Sequence, residues 1–261
     1  MHGKTRTFLA TLSACAALSA TATAYAAERV AIHANFTPDV LGASTNLSAT
    51  ASFSSALPGS QPPIVKVTAY GPAGMSVDLR GAGACTASPA VLEATGPRAC
   101  PADSRIGFGS AVGLEELAGE LIPGPFTFEF FLKPSEAGHI ALMAYVNAVT
   151  PASEQLVLLA REVRAPKPYG LGISFAVPIV PSLPGAPLGW IDHLLLTLGS
   201  AHASFREQVD GKTKLVHVRG LVAPRTCPPG GFPIEGSFEF ADGSKTTSTA
   251  SIPCPRSRAA R

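Results

Sequence analysis

The sequence has few of the residues from which most sugar-binding and metal sites are built. Only 7% of the residues are aromatic, and Trp190 is the single tryptophan. Sugar-binding modules usually need large aromatic side chains with a polar edge, so this shortage counts against one. The five cysteines include no close pair such as C-x-x-C and have no histidine at a matching spacing, which counts against zinc. We expect no metal and no cofactor, and we find no catalytic motif.

Charged residues are also scarce, and their two signs nearly balance. They make up 15% of the chain, with 20 Lys and Arg against 18 Asp and Glu. Two of the basic residues, Lys4 and Arg6, lie at the extreme amino terminus. A net charge near zero gives no electrostatic reason to expect nucleic acid or an anionic membrane as a partner. We therefore predict that the protein binds no nucleic acid.

The amino terminus has the three parts of a secretory signal peptide. A basic head is followed at residues 7–24 by an uncharged stretch of mostly small residues, and an A-x-A cleavage site ends at Ala26. We predict that residues 1–26 are removed and that the exported chain begins at Ala27. The alternative is a lipoprotein anchored through Cys15, because LSAC resembles the lipobox of bacterial lipoproteins. Simple cleavage predicts a secreted, extracellular protein, whereas the alternative predicts an exported protein anchored through a lipid on Cys15.

Four cysteines remain after export, an even number that indicates two disulfides in an oxidising compartment. Four cysteines allow three pairings. The dipeptide at residues 242–243 is Asp-Gly, which is typical of a two-residue hairpin turn. Such a turn brings Cys227 and Cys254 nearly opposite each other, with the irregular Pro-Pro-Gly-Gly segment absorbing the offset. We therefore predict the pairs Cys227–Cys254 and Cys85–Cys100.

Short alternating segments and turn residues along the whole chain indicate an all-β fold. The 25 glycines and 24 prolines leave little room for long helices. Apolar residues alternate with others in segments such as 30–36, 47–53 and 126–132, as they do in strands with one buried face. We expect an antiparallel β-sandwich of about 11–13 short strands. Ser-Pro followed by Val-Leu-Glu-Ala predicts one helical turn near residues 88–94.

The expected domain organisation follows from length. Residues 27–255 are enough for one large β-sandwich domain, or for two packed halves that meet near residues 114–125. A basic tail at residues 256–261 follows. The longest uncharged run, 168–191, is interrupted by four prolines and does not suit a helix. We therefore expect no membrane span after the signal peptide is removed.

The stretch ACPADSRIGFGSAVG, residues 99–113, contains residue types that are common in catalytic and phosphate-binding sites. Its residue spacing matches neither kind of motif. Its glycines, Gly107, Gly109 and Gly113, are spaced one residue too far apart for a dinucleotide loop, and no helix follows. Ser110 lacks the G-x-S-x-G frame of a nucleophile. The alternating glycines leave one strand face nearly bare, which lets a bulky residue lie close. We interpret the stretch as a corner that leads into a strand.

Two further features have alternative interpretations. Three neighbouring carboxylates, Glu115, Glu116 and Glu120, match the paired acids of a glycoside hydrolase, but we prefer to interpret them as a solvated loop. A second feature is a run of prolines at every third position that ends at a tryptophan, a period that suits polyproline II. We predict that it is a rigid connection between strands, and the alternative is a partner-binding loop. Its residues are Pro178, Pro181, Pro184, Pro187 and Trp190.

Three segments resemble a pattern found in uncharacterised secreted proteins of high-GC Gram-positive (actinobacterial) bacteria. They are GPAGMSVDL, ACTASPAVLEATGPRACPADSRIGFGSAV and TCPPGGFPIEGSFEFADGSKTTSTASIPCP. The resemblance spans most of residues 28–255, and its most specific parts are Cys-Pro-x-x-Ser-x-Ile-Gly and Phe-Ala-Asp-Gly. The chain departs from the pattern at residues 71–72, where Gly-Pro replaces the usual Leu-Pro. The resemblance implies export, two disulfides and an all-β fold, and it implies no chemistry.

These observations predict an exported, non-enzymatic protein with a structural or binding role at the cell surface or in the medium. A component of the cell envelope fits this description. The alternative is a secreted hydrolase whose site is assembled across loops and leaves no motif in the sequence. A convergent cluster of Asp, Glu, His or Ser in a concave pocket would distinguish the hydrolase from the binding protein.

Overall fold

The computed structural model describes residues 29–55, 61–117, 120–149, 153–179, 189–199, 204–209 and 212–255. Strands dominate these residues, which confirms the all-β class. Several predicted features lie outside the described residues, namely the cleavage site between Ala26 and Ala27, the alternative anchor Cys15, the prolines Pro181, Pro184 and Pro187, and the basic tail at 256–261.

Fifteen strands and one short helix build the described part of the chain. The strands are β1 (Arg29–Thr37), β2 (Ser44–Ser54), β3 (Ile64–Pro72), β4 (Ser76–Asp78), β5 (Arg105–Leu117), β6 (Glu120–Leu132), β7 (Ala141–Ala148), β8 (Glu154–Val163), β9 (Tyr169–Ala176), β10 (Trp190–Leu198), β11 (Ser204–Val209), β12 (Lys212–His217), β13 (Gly220–Val222), β14 (Phe232–Phe240) and β15 (Lys245–Ile252). The helix α1 spans Pro89–Thr95, and two 3-10 turns follow it at Pro97–Ala99 and Ala102–Ser104.

Thirteen of these strands form one antiparallel sheet. Its order is β15-β14-β3-β9-β8-β7-β6-β5-β10-β2-β13-β4, and β1 also pairs with β2. Side chains of β1 and β15 pack against each other, so the sheet curls until β1, at the free edge of β2, lies beside the terminal strand β15. The facing layers of the expected sandwich are therefore parts of one continuous sheet. The described residues at 114–117 and 120–125 belong to this sheet, where β5 and β6 pair with each other.

The apolar faces of the strands meet inside the curled sheet. Leu194 of β10 and Val67 of β3 both pack against a buried cluster that includes Phe238 of β14, although β10 is far from β3 and β14 in the sheet order. The strand β14 shows the underlying pattern, because every second residue from Phe232 to Phe240 is buried. Burying one such phenylalanine contributes about 1.5–3 kcal/mol, so the alternation fixes which face of each strand turns inward.

The helix α1 covers part of the outer face of the sheet. Ser88 caps its amino terminus by accepting a hydrogen bond from the backbone N–H of Val91, and Pro89 opens the first turn. Leu92 is fully buried against the outward side chains of β6 and β7, Phe131 and Met143. The helix lies where the sequence predicts a helical turn.

The structure contains the disulfides Cys85–Cys100 and Cys227–Cys254, the same pairs that the sequence predicts. The first brackets α1 and holds it against β6 and β7. The prediction of the Cys227–Cys254 pair assumed a two-residue hairpin turn, and the turn in the structure is longer. It has three residues between the paired Phe240 and Ser244. The reason is that Gly243 adopts a left-handed conformation at φ 84°, as in a three-residue hairpin with a bulge.

Candidate ligand-binding cavity

Aromatic side chains of β6 line the interior of the curled sheet beside a strand of small residues. Phe126 and Phe128 lie edge to face with ring centroids 5.2 Å apart, and Phe128 and Phe130 lie 6.2 Å apart. The register places Gly109 of β5 opposite Phe128 and Ala111 opposite Phe126. The bare face of the 99–113 stretch is therefore the inward face of β5, and the bulky residues that lie close to it are these phenylalanines.

The interior is not completely filled by these side chains. Two neighbouring cavities lie inside the sheet, of about 200 Å³ and about 280 Å³. We call them the first and the second cavity. The side chains that line both cavities, which we call the waist, are Val67, Phe130, Phe175, Leu194 and Leu196. Binding cavities of this kind are usually apolar with a few polar groups that orient the ligand.

The burial pattern shows the same unfilled space. Leu156 and Leu158 of β8 and Leu194 and Leu196 of β10 face inward, yet each remains half-buried. A packed protein interior leaves few voids larger than a water molecule, so inward side chains are normally fully buried. The interior of this sheet thus keeps apolar surface uncovered on several strands at once.

Two carboxylates stand at the wall of the second cavity. Glu115, near the end of β5, and Glu154, the first residue of β8, both line it and are both half-buried. Burial raises the pKa of the Glu154 carboxyl above its ordinary value, and the negative charge of Glu115 adds to the rise. Among the described residues that line this cavity, these two side chains are the ionisable ones.

The interpretation of Glu115, Glu116 and Glu120 as a solvated loop is wrong. Glu115 and Glu116 lie on β5, and Glu120 is the first residue of β6. Glu115 lines the second cavity together with Gly113 and Leu114, whereas Glu116 is not part of its lining, as expected when the next residue of a strand points to the opposite face. Sequence reasoning did not single out Glu154, because only the order of the strands places it near Glu115.

Two polar residues of the 99–113 stretch, Ser104 and Arg105, have structural contacts. Ser104 is fully buried, and its hydroxyl donates to the backbone carbonyl of Pro101 at 2.6 Å. Arg105 forms an ion pair with Glu129 of β6 at 3.1 Å on the outer face. Ser110 is exposed on that same face. These contacts fit the corner interpretation of the stretch.

The two described residues of the proline run lie at the second cavity. Pro178 is exposed and Trp190 is buried, and both contribute to the cavity wall. They flank the connection between β9 and β10, as the strand-connection interpretation expects. The partner-binding alternative stays a prediction, because Pro181, Pro184 and Pro187 lie outside the described residues.

The histidines with described contacts lie away from the cavities. Nδ1 of His193 is 3.2 Å from the hydroxyl of Ser52, and both side chains are exposed on the outer face of the sheet. His139 is 3.7 Å from the carboxylate of Glu162. Within the described ranges, no three His, Cys, Asp or Glu side chains are grouped so that they could hold a metal ion.

Comparisons with known proteins found no match for this chain among protein families, curated proteins or solved structures. The resemblance to secreted actinobacterial proteins therefore stays a prediction from sequence motifs. In the part of the chain that the structure describes, no helix is long and apolar enough to cross a membrane.

Proposed function

We propose that this chain is an exported, non-enzymatic protein that binds an apolar small molecule inside its curled sheet. The observation that carries the proposal is the apolar interior, where two adjoining cavities share the waist and expose inward leucines on different strands. Apolar surface left uncovered inside a protein gains free energy when an apolar ligand displaces water from it, at about 25 cal/mol per Å².

Export is supported by the composition of the amino terminus and by the disulfides. Two intramolecular disulfides fit an oxidising environment outside the cytoplasm. The resemblance to secreted actinobacterial proteins points the same way. We therefore place the protein at the cell surface or in the medium, where a component of the cell envelope would meet apolar molecules.

The exported protein is expected to begin at Ala27. Amino-terminal sequencing of the material released by the native secretion host checks this, because cleavage after the A-x-A site leaves Ala27 as the first residue. Mass spectrometry of the same material identifies the alternative directly. An acylated Cys15 would replace simple cleavage by a lipid anchor.

Binding of an uncharged apolar probe should depend on the waist. We expect decanol to bind with a negative heat-capacity change in calorimetry, because apolar surface is buried. Replacing Leu194 by tryptophan fills space in both cavities and should weaken decanol binding at least tenfold. The matched control is Leu195→Trp, because Leu195 is the next residue on β10, is 44% exposed and points outward.

A milder variant covers the case in which Leu194→Trp does not fold. Leu196→Phe adds less volume at the waist and should still weaken decanol binding, with circular dichroism confirming the fold. If decanol does not bind the native protein, or if the inward and outward variants bind it equally well, the proposed function is wrong.

A further inference from the structure

The second cavity combines apolar walls with carboxylates at one place. Glu115 and Glu154 lie on strands that β6 and β7 separate in the sheet, yet their side chains line the same cavity. Their neighbours line it as well, namely Gly113 and Leu114 on β5 and Leu156 on β8. A Cβ placed on Gly189 would lie 3.0 Å from Cγ of Glu115, so this side chain is held close to the start of β10.

Among the described residues that line the second cavity, none carries a positive charge that could pair with Glu115 or Glu154. Every ion pair that the structure shows for a Lys or Arg lies elsewhere, on the outer face or in loops. Two like charges in an apolar setting disfavour each other, and burial disfavours each of them further. The raised pKa of Glu154 is the expected consequence. A cation placed between the two carboxylates would offset both the repulsion between the negative charges and the free-energy cost of burying them.

The remaining walls suit a hydrocarbon group. Phe126, Phe128 and Phe130 present aromatic faces and edges, and Leu156 and Leu158 present half-buried apolar surface. An apolar cavity of about 150 Å³ already binds benzene. The second cavity, at about 280 Å³, therefore has room for a longer apolar chain.

We infer that the ligand is a cationic amphiphile, with an amine headgroup at Glu115 and Glu154 and a hydrocarbon chain along the aromatic wall of the second cavity. The inference rests on the proposed function, because it names the class of molecule that the interior binds. The carboxylates hold the ammonium by charge-assisted hydrogen bonds, and the chain contributes the apolar part of the binding free energy.

Three probes with the same chain and different headgroups test this inference. Decylamine, decanol and decanoate are titrated into the folded full-length exported protein at neutral pH, below the concentrations at which they form micelles. Decylamine should bind about tenfold tighter than decanol, because charged hydrogen bonds add to the same chain contacts. Decanoate should bind more weakly than decanol, because its carboxylate meets two like charges.

Variants at Glu115 and Glu154 distinguish the contribution of the headgroup to binding from that of the hydrocarbon chain. Glu115→Gln and Glu154→Gln should each reduce the preference for decylamine over decanol, and the double variant should abolish it. Glu116→Gln is the matched control, because Glu116 neighbours Glu115 on β5 and points to the outer face. It should keep the full preference.

The pH dependence gives an independent readout. Because the pKa of Glu154 is raised, this carboxyl takes up a proton at a higher pH than an ordinary glutamate as the solution is acidified. Decylamine stays protonated over this range, so its affinity should fall with decreasing pH while that of decanol stays constant. Glu115 is the other ionisable side chain that lines this cavity among the described residues.

The outcomes distinguish the inference from the function on which it rests. If all three probes bind equally, or if decanoate binds most tightly, the cationic headgroup is wrong and the apolar binding function remains. If the preference for decylamine survives in the double glutamine variant, the carboxylates are not its site. If none of the probes binds, the proposed function fails together with the inference.

Discussion

Replacing Gly109 by valine should lower the free energy of unfolding by about 3 kcal/mol, although valine normally favours strands. A Cβ at this position would lie 2.5 Å from the backbone carbonyl oxygen of Leu195 and 3.0 Å from the ring of Phe128. Neither neighbour can withdraw easily, because one is backbone of the adjacent strand β10 and the other is a buried aromatic ring. The strands must separate or the aromatic wall must move.

The matched control for this prediction is Ser110→Val. Ser110 is the next residue on β5 and is exposed on the outer face, where a surface change usually stays within about 0.5 kcal/mol. Equilibrium denaturation with urea measures both variants, and thermal melting should show a Tm about 6–12 °C lower for Gly109→Val. Equal stability of the two variants would mean that the inward face of β5 is not closely packed.

Local patterns in the sequence were enough to predict the all-β class, the helix and the disulfides, although the described residues form fifteen strands rather than the expected 11–13. The helix could be predicted because Ser88 and Pro89 provide the cap and the first turn within the chain itself. The Cys227–Cys254 pair could be predicted because both residues flank one hairpin. Its turn is one residue longer than expected, and the irregular segment at 228–231 tolerates that change of register. Each of these features depends on residues that are close in sequence.

The carboxylates of the second cavity show where local patterns stop being informative. Glu115 and Glu116 appear as one charged run, and only the strand assignment shows that one turns inward and the other outward. Glu154 lies far along the chain, and it approaches Glu115 because β5, β6, β7 and β8 are consecutive in the sheet. The order of strands arises from long-range pairing, which a single sequence does not reveal.

The cavity depends on how much space the inward side chains fill. The alternation of apolar residues along a strand does not reveal this volume. Alternation shows that Leu156 and Leu194 face the interior, but it does not show whether the opposite strand supplies enough side-chain volume to cover them. The glycines at 107, 109 and 113 indicate that one strand contributes little volume. The phenylalanines of β6 occupy the space next to these glycines, and the centre of the sheet remains open.

Truncation of Leu92 to alanine should lower the free energy of unfolding by about 2–5 kcal/mol, the range for deleting a fully buried leucine side chain. Leu92 is 0% exposed and is the side chain that α1 buries. It contacts a cluster that includes the Cys85–Cys100 disulfide, Phe131 and Met143. The helix has a second attachment, because Glu93 accepts a hydrogen bond from the backbone N–H of Val157 at 3.0 Å.

Val91→Ala is the matched control, because Val91 is the preceding residue of α1 and is 48% exposed. It should change stability by less than about 0.5 kcal/mol, since alanine also suits a helix. Hydrogen exchange distinguishes local from global loss. If α1 is a cap that opens locally, the Leu92→Ala variant should exchange faster at the outer face of β7 around Met143 and Tyr145, with binding of decanol retained. Unchanged stability and exchange in Leu92→Ala would show that the disulfide and the Glu93–Val157 hydrogen bond hold α1 on the sheet without Leu92.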